Sequence, residues 1–401
     1  MKVALVDPSL FTAPYDRALI AGLRRIGDEV RLYTKRIAPG EPCEAGASIV
    51  EHFYRGLAHP ALAGLPRPAL RGLKGASHVA DMSALVGALR RWRPDVIHFQ
   101  WVPLPLIDRA FLPALRRIAP LVLTVHDSNP FNGNPSAWIQ RLGALPILAG
   151  FDALIVHTEQ ARARLERQGL PGGRVAKIAH GLLHDGTSGL AALPKAEELT
   201  DPVIDILMFG KVKPYKGVDV LIRAVALLPG AERARCRVRV IGKPYMDTKP
   251  LLELAAALGV ANRFIFDFRF VEDAEMAAVF ASAAAVVFPY REVDASGVLM
   301  AAIAAGRPII ASDIGGFAEL LLGERAGLLV PPDDPAALAR ALGRVIADAE
   351  LRAQLAAAVR ALRDETPRWT EIARATHALY ERVRRERSSA RNQEARSPAS
   401  I

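Results

Sequence analysis

Residues Asp205–Ala224 read DILMFGKVKPYKGVDVLIRA. An apolar run of strand length ends at Gly210, a turn built on Lys211, Pro214 and Lys216 follows, and Gly217 opens a helix whose apolar positions begin at Val218, Val220 and Leu221. Strand, tight turn and helix make the first half of a βα unit. The same rhythm returns at CRVRVIG, RFIFDF, AAVVFPY, PIIAS and GLLVP downstream, and at KVALVD, EVRLYT, DVIHFQ, LVLTVH, DALIVH and RVAKIAH upstream. Helical segments lie between them, such as Ala80–Trp92, Thr158–Gln168 and the stretch after Pro335, where Leu338, Leu342, Val345 and Ile346 share one face. Near-continuous apolar strands alternating with helices predict parallel sheets covered on both faces. The fold class expected is therefore α/β, with two doubly wound, Rossmann-like domains.

The boundary falls where this rhythm fails. HGLLHDGTSGLAALPKAEELTDPV, residues 180–203, loses its apolar period and concentrates Gly, Ser, Thr, Pro and Asp, so it reads as a linker. We expect an N-terminal domain over 1–190, a C-terminal domain over 200–368, a helix over 369–385 that crosses back, and a disordered tail over 386–401. Two such domains would turn their strand C-termini toward a shared cleft. Residues 51–78, with Arg55, Arg67, Arg71 and Lys74 among apolar residues, Gly and Pro, read as a loop with a short helix.

Composition narrows the function. The 401 residues carry a net charge of +10, and the first 195 hold 24 Lys and Arg against 15 Asp and Glu, so the surplus sits in the N-terminal half. No zinc-finger, RNP or helix-turn-helix signature accompanies it, which argues against a nucleic-acid partner. Cys43 and Cys236 are the two cysteines, too few for a disulfide framework or a thiolate metal site. MKVALVDPSL is too short in apolar residues for a signal peptide and reads as a first strand, and no run approaches about 18 apolar residues. A cytoplasmic protein is expected.

Two clusters carry chemistry. The Lys211 and Lys216 ammonium groups, beside a helix N-terminus whose amides and dipole favour anions, suit a diphosphate. In VVFPYREVDASGVLMAAIAAGRPIIASDIGG, residues 286–316, a strand ends at Pro289, an acidic loop with Glu292 and Asp294 follows, and Ser296–Gly297 starts a second helix. A hydroxyl, exposed amides and nearby carboxylates can hold sugar hydroxyls, while Ser296 also has the chemistry of a plain N-cap. In the first half, LTVHDSNP sets His126 and Asp127 past a strand end, HFQW sets Gln100 and Trp101 there, and VHTE and AHG add further histidines. Walker, GxSxG, zincin and dinucleotide fingerprints are absent, as is DxD, so no metal or bound cofactor is expected.

The ordered set GKx4KG, FPY with an acidic loop, SG at a helix start, AGRPIIASDIGG and GLLVPPDD resembles the C-terminal half of a GT-B glycosyltransferase, similar to the retaining family four, the glycosyl transferases group 1. The resemblance covers residues 1 to about 380. It implies that Lys211 and Lys216, next to Gly210, hold the donor diphosphate, and that Ser296, Gly297 and Val298 offer main-chain amides to the transferred sugar. It also implies that His126 faces that sugar and that the acceptor hydroxyl attacks from the side the diphosphate leaves, a phosphate oxygen taking its proton. The family's two glutamates fall on Val293 and Ala301 here, which leaves Glu292 or Asp294 to replace the first. The family's glycine-rich first loop is DPSLFTAPYDR, without glycine, so Tyr15 and Asp16 are expected to meet the acceptor together with Gln100, Trp101 and Asp127. The function expected is transfer of a sugar from a nucleoside diphosphate sugar to a glycan, lipid-linked or small acceptor, at an anionic inner membrane surface if the basic half binds one. A non-catalytic sugar-nucleotide binder and a nucleotide-sugar epimerase on the same fold remain open.

Overall fold

A computed structural model describes residues 1–37, 48–58, 66–126, 138–183, 203–293 and 296–396. The chain divides into two compact units: residues 1–157, 162–179 and 368 onward form one, and 158–161 with 180–367 form the other.

Unit 1 is built on seven parallel strands: β1 (Lys2–Asp7), β2 (Glu29–Lys35), β3 (Ser48–Phe53), β4 (Val96–Phe99), β5 (Leu121–Thr124), β6 (Ala153–Val156) and β7 (Val175–Lys177). Their spatial order is β3-β2-β1-β4-β5-β6-β7. The helices are α1 (Ala13–Arg25), α2 (Arg67–Trp92), α3 (Pro105–Ile118), α4 (Trp138–Leu148) and α5 (Glu159–Arg167). Strand order runs outward in both directions from β1 and β4, so the C-terminal ends of these two neighbours mark the switch point where such sheets bind ligands. β4, β5 and β6 are buried along their whole length, which is why they read as continuous apolar runs.

Unit 2 repeats the plan with β8 (Ile204–Phe209), β9 (Cys236–Ile241), β10 (Phe264–Asp267), β11 (Ala285–Phe288), β12 (Ile309–Ser312) and β13 (Leu328–Val330), in the order β10-β9-β8-β11-β12-β13. Here the switch point lies between β8 and β11. Its helices are α6 (Val218–Leu227), α7 (Gly230–Arg235), α8 (Lys249–Ala257), α9 (Asp273–Ala281), α10 (Gly297–Ala304), α11 (Gly315–Leu320), α12 (Pro335–Ala347) and α13 (Ala349–Glu365). Leu299–Ala304 of α10 are buried on every side, as expected of an all-apolar helix, and its alanines permit close packing.

The last helix, α14 (Trp369–Arg396), follows unit 2 in sequence yet belongs to unit 1. A Cβ at Gly22 of α1 would lie 2.5 Å from the Trp369 carbonyl oxygen, so that glycine lets α1 and α14 touch. Tyr380 then reaches under the sheet to hydrogen-bond His98 at 2.6 Å.

Two expectations need correction. The tail expected to be disordered from 386 is helical to Arg396, and its Arg, Glu, Gln and Ala are good helix formers. Residues 397–401 lie outside the described residues. The segment over 51–78, read as a loop with a short helix, contains the end of β3 and the first three turns of the 26-residue α2, in which Gly72 and Gly75 meet nothing within 4 Å. The linker candidate is described only up to residue 183 and from 203.

Candidate functional site

In unit 2 the two motif clusters, far apart in sequence, form one structure at the β8/β11 switch point. β8 ends at Gly210 (φ +107), Lys211–Lys213 run on beside β9, and Pro214–Lys216 make one 3-10 turn. The Val212 amide bonds the Lys243 carbonyl at 3.0 Å and the Tyr245 amide the Val212 carbonyl at 2.9 Å, so the lysine segment is a continuation of the β8–β9 ladder. Gly217 (φ +70) caps α6, and a Cβ there would sit 1.9 Å from the Pro289 carbonyl oxygen. The segment after β11 thus presses directly on the turn. Arg291 completes the clamp: its amide donates to the Tyr215 carbonyl at 2.7 Å and its guanidinium to the Pro214 carbonyl at 2.9 Å, to both Asp219 oxygens at 3.0 and 2.7 Å, and to Asp333 at 2.8 Å. Although burial works the other way, the Arg291 hydrogen bonds and charge hold the Asp219 carboxyl below its ordinary range.

Lys216 points inward, 6% exposed, and donates from Nζ to the Tyr290 hydroxyl at 2.8 Å. Burial first, and the charges of Lys213 and Lys211 after it, bring its pKa down from 10.5 to about 7. A Cβ at Gly210 would lie 3.0 Å from Lys216 Nζ and 3.0 Å from Val298, which shows how closely the amine approaches the start of α10. Ser296 caps that helix, its hydroxyl accepting from the Leu299 amide at 3.3 Å. The first-turn amides of Gly297 and Val298 lack carbonyl partners by the geometry of any helix start, so they are available to an anion or a sugar hydroxyl. Lys211 is solvent-exposed, with Nζ 5.8 Å from the Tyr245 ring, and Glu292 is half-buried in the segment that follows Arg291. Asp294 lies outside the described residues. Lysines 211, 213 and 216, one glycine and one helix start therefore converge; chemically this is a place for a strongly anionic group.

Lys213, Tyr290 and Arg291 escaped the motif reading. All three lie inside the quoted stretches, but Tyr290 and Arg291 act on a turn 74 and 77 residues away in sequence.

In unit 1 the sequence candidates gather at the ends of β1, β4 and β5. His126 Nε2–H donates to Gln100 Oε1 at 3.0 Å, and the Gln100 amide nitrogen lies 3.4 Å from His98, which is bonded to Tyr380 and Thr124. Burial draws the His98 pKa to about 3, so this ring stays neutral and serves as scaffold. His157, whose Nδ1–H donates to the Ile178 carbonyl at 2.9 Å, is likewise drawn to about 4 by burial. His126 is the half-exposed member, its orientation set through Gln100. Trp101 stacks on Phe11 with ring centroids 4.5 Å apart, and Phe11 is 46% exposed.

The expectation that Tyr15 and Asp16 meet an acceptor is corrected by their burial. Tyr15 packs edge-on between His126 and Trp369, at 4.7 and 5.0 Å. Asp16 is fully buried beside Asp7, and desolvation followed by the Asp7 charge raises its pKa well above the ordinary carboxylate range. The pair fixes the loop after β1: Asp7 accepts from the Ser9 and Thr12 amides and the Thr12 hydroxyl, and Thr12 bridges to Asp16 at 3.1 Å. Asp127 lies outside the described residues. Among the described residues no group of three or more His, Cys, Asp or Glu gathers as a metal site, and no helix is long and apolar enough to cross a membrane.

Two family models match, one for each unit: "Glycosyl transferase 4-like domain" over residues 12–181 and "Glycosyl transferases group 1" over residues 203–348. A D-inositol 3-phosphate glycosyltransferase from Streptomyces scabiei is 33% identical over 251 residues, covering 60% of this chain and 56% of that protein. The match thus spans little more than half the length of that relative. One of the same name from Xylanimonas cellulosilytica is 28% identical over 392 residues, 93% of this chain and 92% of its own. Among solved structures, sucrose-phosphate synthase from Thermosynechococcus elongatus superimposes with a TM-score of 0.73 at 22% identity, over 96% of this chain and 99% of that one. Anabaena HepE in complex with UDP gives 0.69 at 18%, over 95% and 100%. At these identities the structural likeness is one of fold.

Proposed function

Because the chain belongs to the group 1 glycosyltransferases and has the GT-B fold, we propose that it transfers a sugar from a nucleoside diphosphate sugar to an acceptor, with retention and without a metal ion. The observation that supports this reading is the lysine turn pressed onto the start of α10, where Lys216, Lys211, Lys213 and the Gly297 and Val298 amides converge. Charge that develops on a departing diphosphate is met there by fixed cations and dipoles, which stabilise it without reorganisation. Glu292 and Asp294 are the carboxylates proposed for donor hydroxyls. In unit 1 His126, held by Gln100, is proposed to face the transferred sugar, and the exposed Phe11–Trp101 stack to receive the acceptor.

HepE was solved with UDP, so UDP is the first nucleotide to try, with GDP and ADP beside it. The nucleotide that fits should raise the melting temperature, since at a hundredfold excess over Kd a native-state ligand adds about 2.7 kcal/mol. If none of the three shifts the melt, the donor-site reading fails. A non-catalytic binder is favoured by one observation, the buried Ala301 where the family carries a glutamate. A bound nucleotide whose sugar donors give neither transfer nor hydrolysis would establish that alternative.

The acceptor reading rests on charge. The relatives named above act, by name, on an inositol phosphate, and the basic half of this chain suits an anionic acceptor, free or lipid-linked. We propose a cytoplasmic enzyme that works at the inner membrane surface through the exposed Arg71, Leu73 and Lys74 on α2. Each basic side chain near an anionic surface contributes about 1 kcal/mol. The protein should therefore sediment with phosphatidylglycerol vesicles at low salt and be released as salt rises; no sedimentation would leave a soluble acceptor.

A further inference from the structure

Tyr290 stands where the lysine turn, the end of β11 and the start of α10 meet. It is 1% exposed, its ring packed against Tyr215, Phe288 and Phe317. Its hydroxyl receives the 2.8 Å bond from Lys216 Nζ and is also hydrogen-bonded to Ser296. Burial, with Tyr215 second, keeps the phenol protonated. Because the Ser296 bond lowers the phenol's pKa, Ser296 is the donor in it, and the second lone pair of the phenol oxygen receives the bond from Lys216.

An ammonium has three protons to donate, and among the described residues Tyr290 is the one hydrogen-bond partner of Lys216 Nζ. Among the described residues, no other group around the amine is shown paired with it. Lys211 and Lys213 on its own turn are cations, Tyr215 and Tyr290 are neutral, and Asp219 at the start of α6 and Asp333 before α12 are both engaged by Arg291. Glu292 follows Arg291 in the β11 segment and is half-buried. A buried amine that lacks a counter-ion and has two unused N–H directions is set to gain a proton when an anion arrives.

We propose that Tyr290 is a positioning residue of the donor site: anchored by Ser296, its hydroxyl aims the Lys216 amine so that a nucleoside diphosphate binds together with one proton. The proposal rests on the donor-site reading above. The step balances simply: the neutral amine takes a proton from solvent, becomes an ammonium, and pairs with the incoming diphosphate charge. The sign follows from burial. Below about pH 7 Lys216 already carries its proton and no uptake occurs; above it, uptake rises toward one and affinity falls by up to tenfold per pH unit.

Calorimetric titration of the full chain with UDP, in buffers of unlike ionisation enthalpy between pH 7 and 9, tests this. The nucleotide's own terminal phosphate titrates lower, near about 6. Tyr290→Phe keeps the ring and removes the hydroxyl. It should weaken UDP binding at pH 7.5 by about tenfold, the effect of losing one charge-assisted hydrogen bond, and move the onset of proton uptake to lower pH. Lys216→Met should abolish uptake. Binding of UDP by the wild type without proton uptake overturns the inference while leaving the donor site standing. So does a Tyr290→Phe protein that melts lower yet keeps the wild-type pH dependence, because that marks Tyr290 as core packing. If UDP, GDP and ADP all fail to bind, the donor-site reading itself falls and takes this inference with it.

Discussion

Lys216→Ala is expected to lower sugar transfer by roughly ten- to a thousandfold, the range seen when one preorganised group that stabilises transition-state charge is removed. The burial of this amine is what makes the effect large. A cation held 6% exposed, its Nζ on a buried tyrosine, acts through a medium of low polarity where charge is poorly screened. Lys211→Ala should cost less, because that side chain lies in solvent. The variant should fold at least as well as the wild type, since a buried lysine whose pKa has fallen from 10.5 to about 7 is a cost to the folded state across that whole interval and below it. Steady-state transfer assays beside thermal melts check both halves: unchanged turnover removes Lys216 from the site, and a lower melting temperature refutes the account of its burial.

Gly217→Ala should damage stability and site together. At φ +70 any side chain is strained, and this Cβ would fall 1.9 Å from the Pro289 carbonyl oxygen, a backbone atom that cannot rotate away. The turn must separate from the β11 segment, which breaks the Arg291 contacts to Pro214 and Tyr215 and draws Lys216 from Tyr290. We expect a loss of about 3–5 kcal/mol, the scale of strain combined with a broken buried network, and turnover near background in whatever protein folds. Gly230→Ala, at the start of α7 where a Cβ meets nothing within 4 Å, is the control and should stay within about 0.5 kcal/mol. A Gly217→Ala protein that melts with the control would show that the β11 segment yields easily.

How far the fold was legible depended on burial. β4, β5, β6, β11 and β12 are buried along their whole length, so each had to be a near-continuous apolar run, and all were visible. β3, SIVEHF, escaped because it is the edge strand and mostly half-buried, leaving no apolar run to see. α2 was truncated in the reading because Pro68, Gly72 and Gly75 look like breakers, while tertiary contacts such as the His52 ring on the Asp81 carbonyl at 2.8 Å help hold it. The end of α14 was missed for the opposite reason: residues 386–396 carry no apolar period to detect.

By itself the sequence determined that two α/β units exist, that glycines 210 and 217 and lysines 211 and 216 share one strand-to-helix turn, and that Ser296 starts a helix beside acidic residues. These are local properties, written in runs of a few residues where backbone conformation and side-chain chemistry coincide. The tertiary structure decided which of those groups are exposed and what they touch. It buried Lys216 on Tyr290, placed Arg291 across the turn, and withdrew Tyr15 and Asp16 from the surface into a packed cluster. Proximity across 74 residues and the loss of water around an amine are products of packing, and no local pattern encodes them.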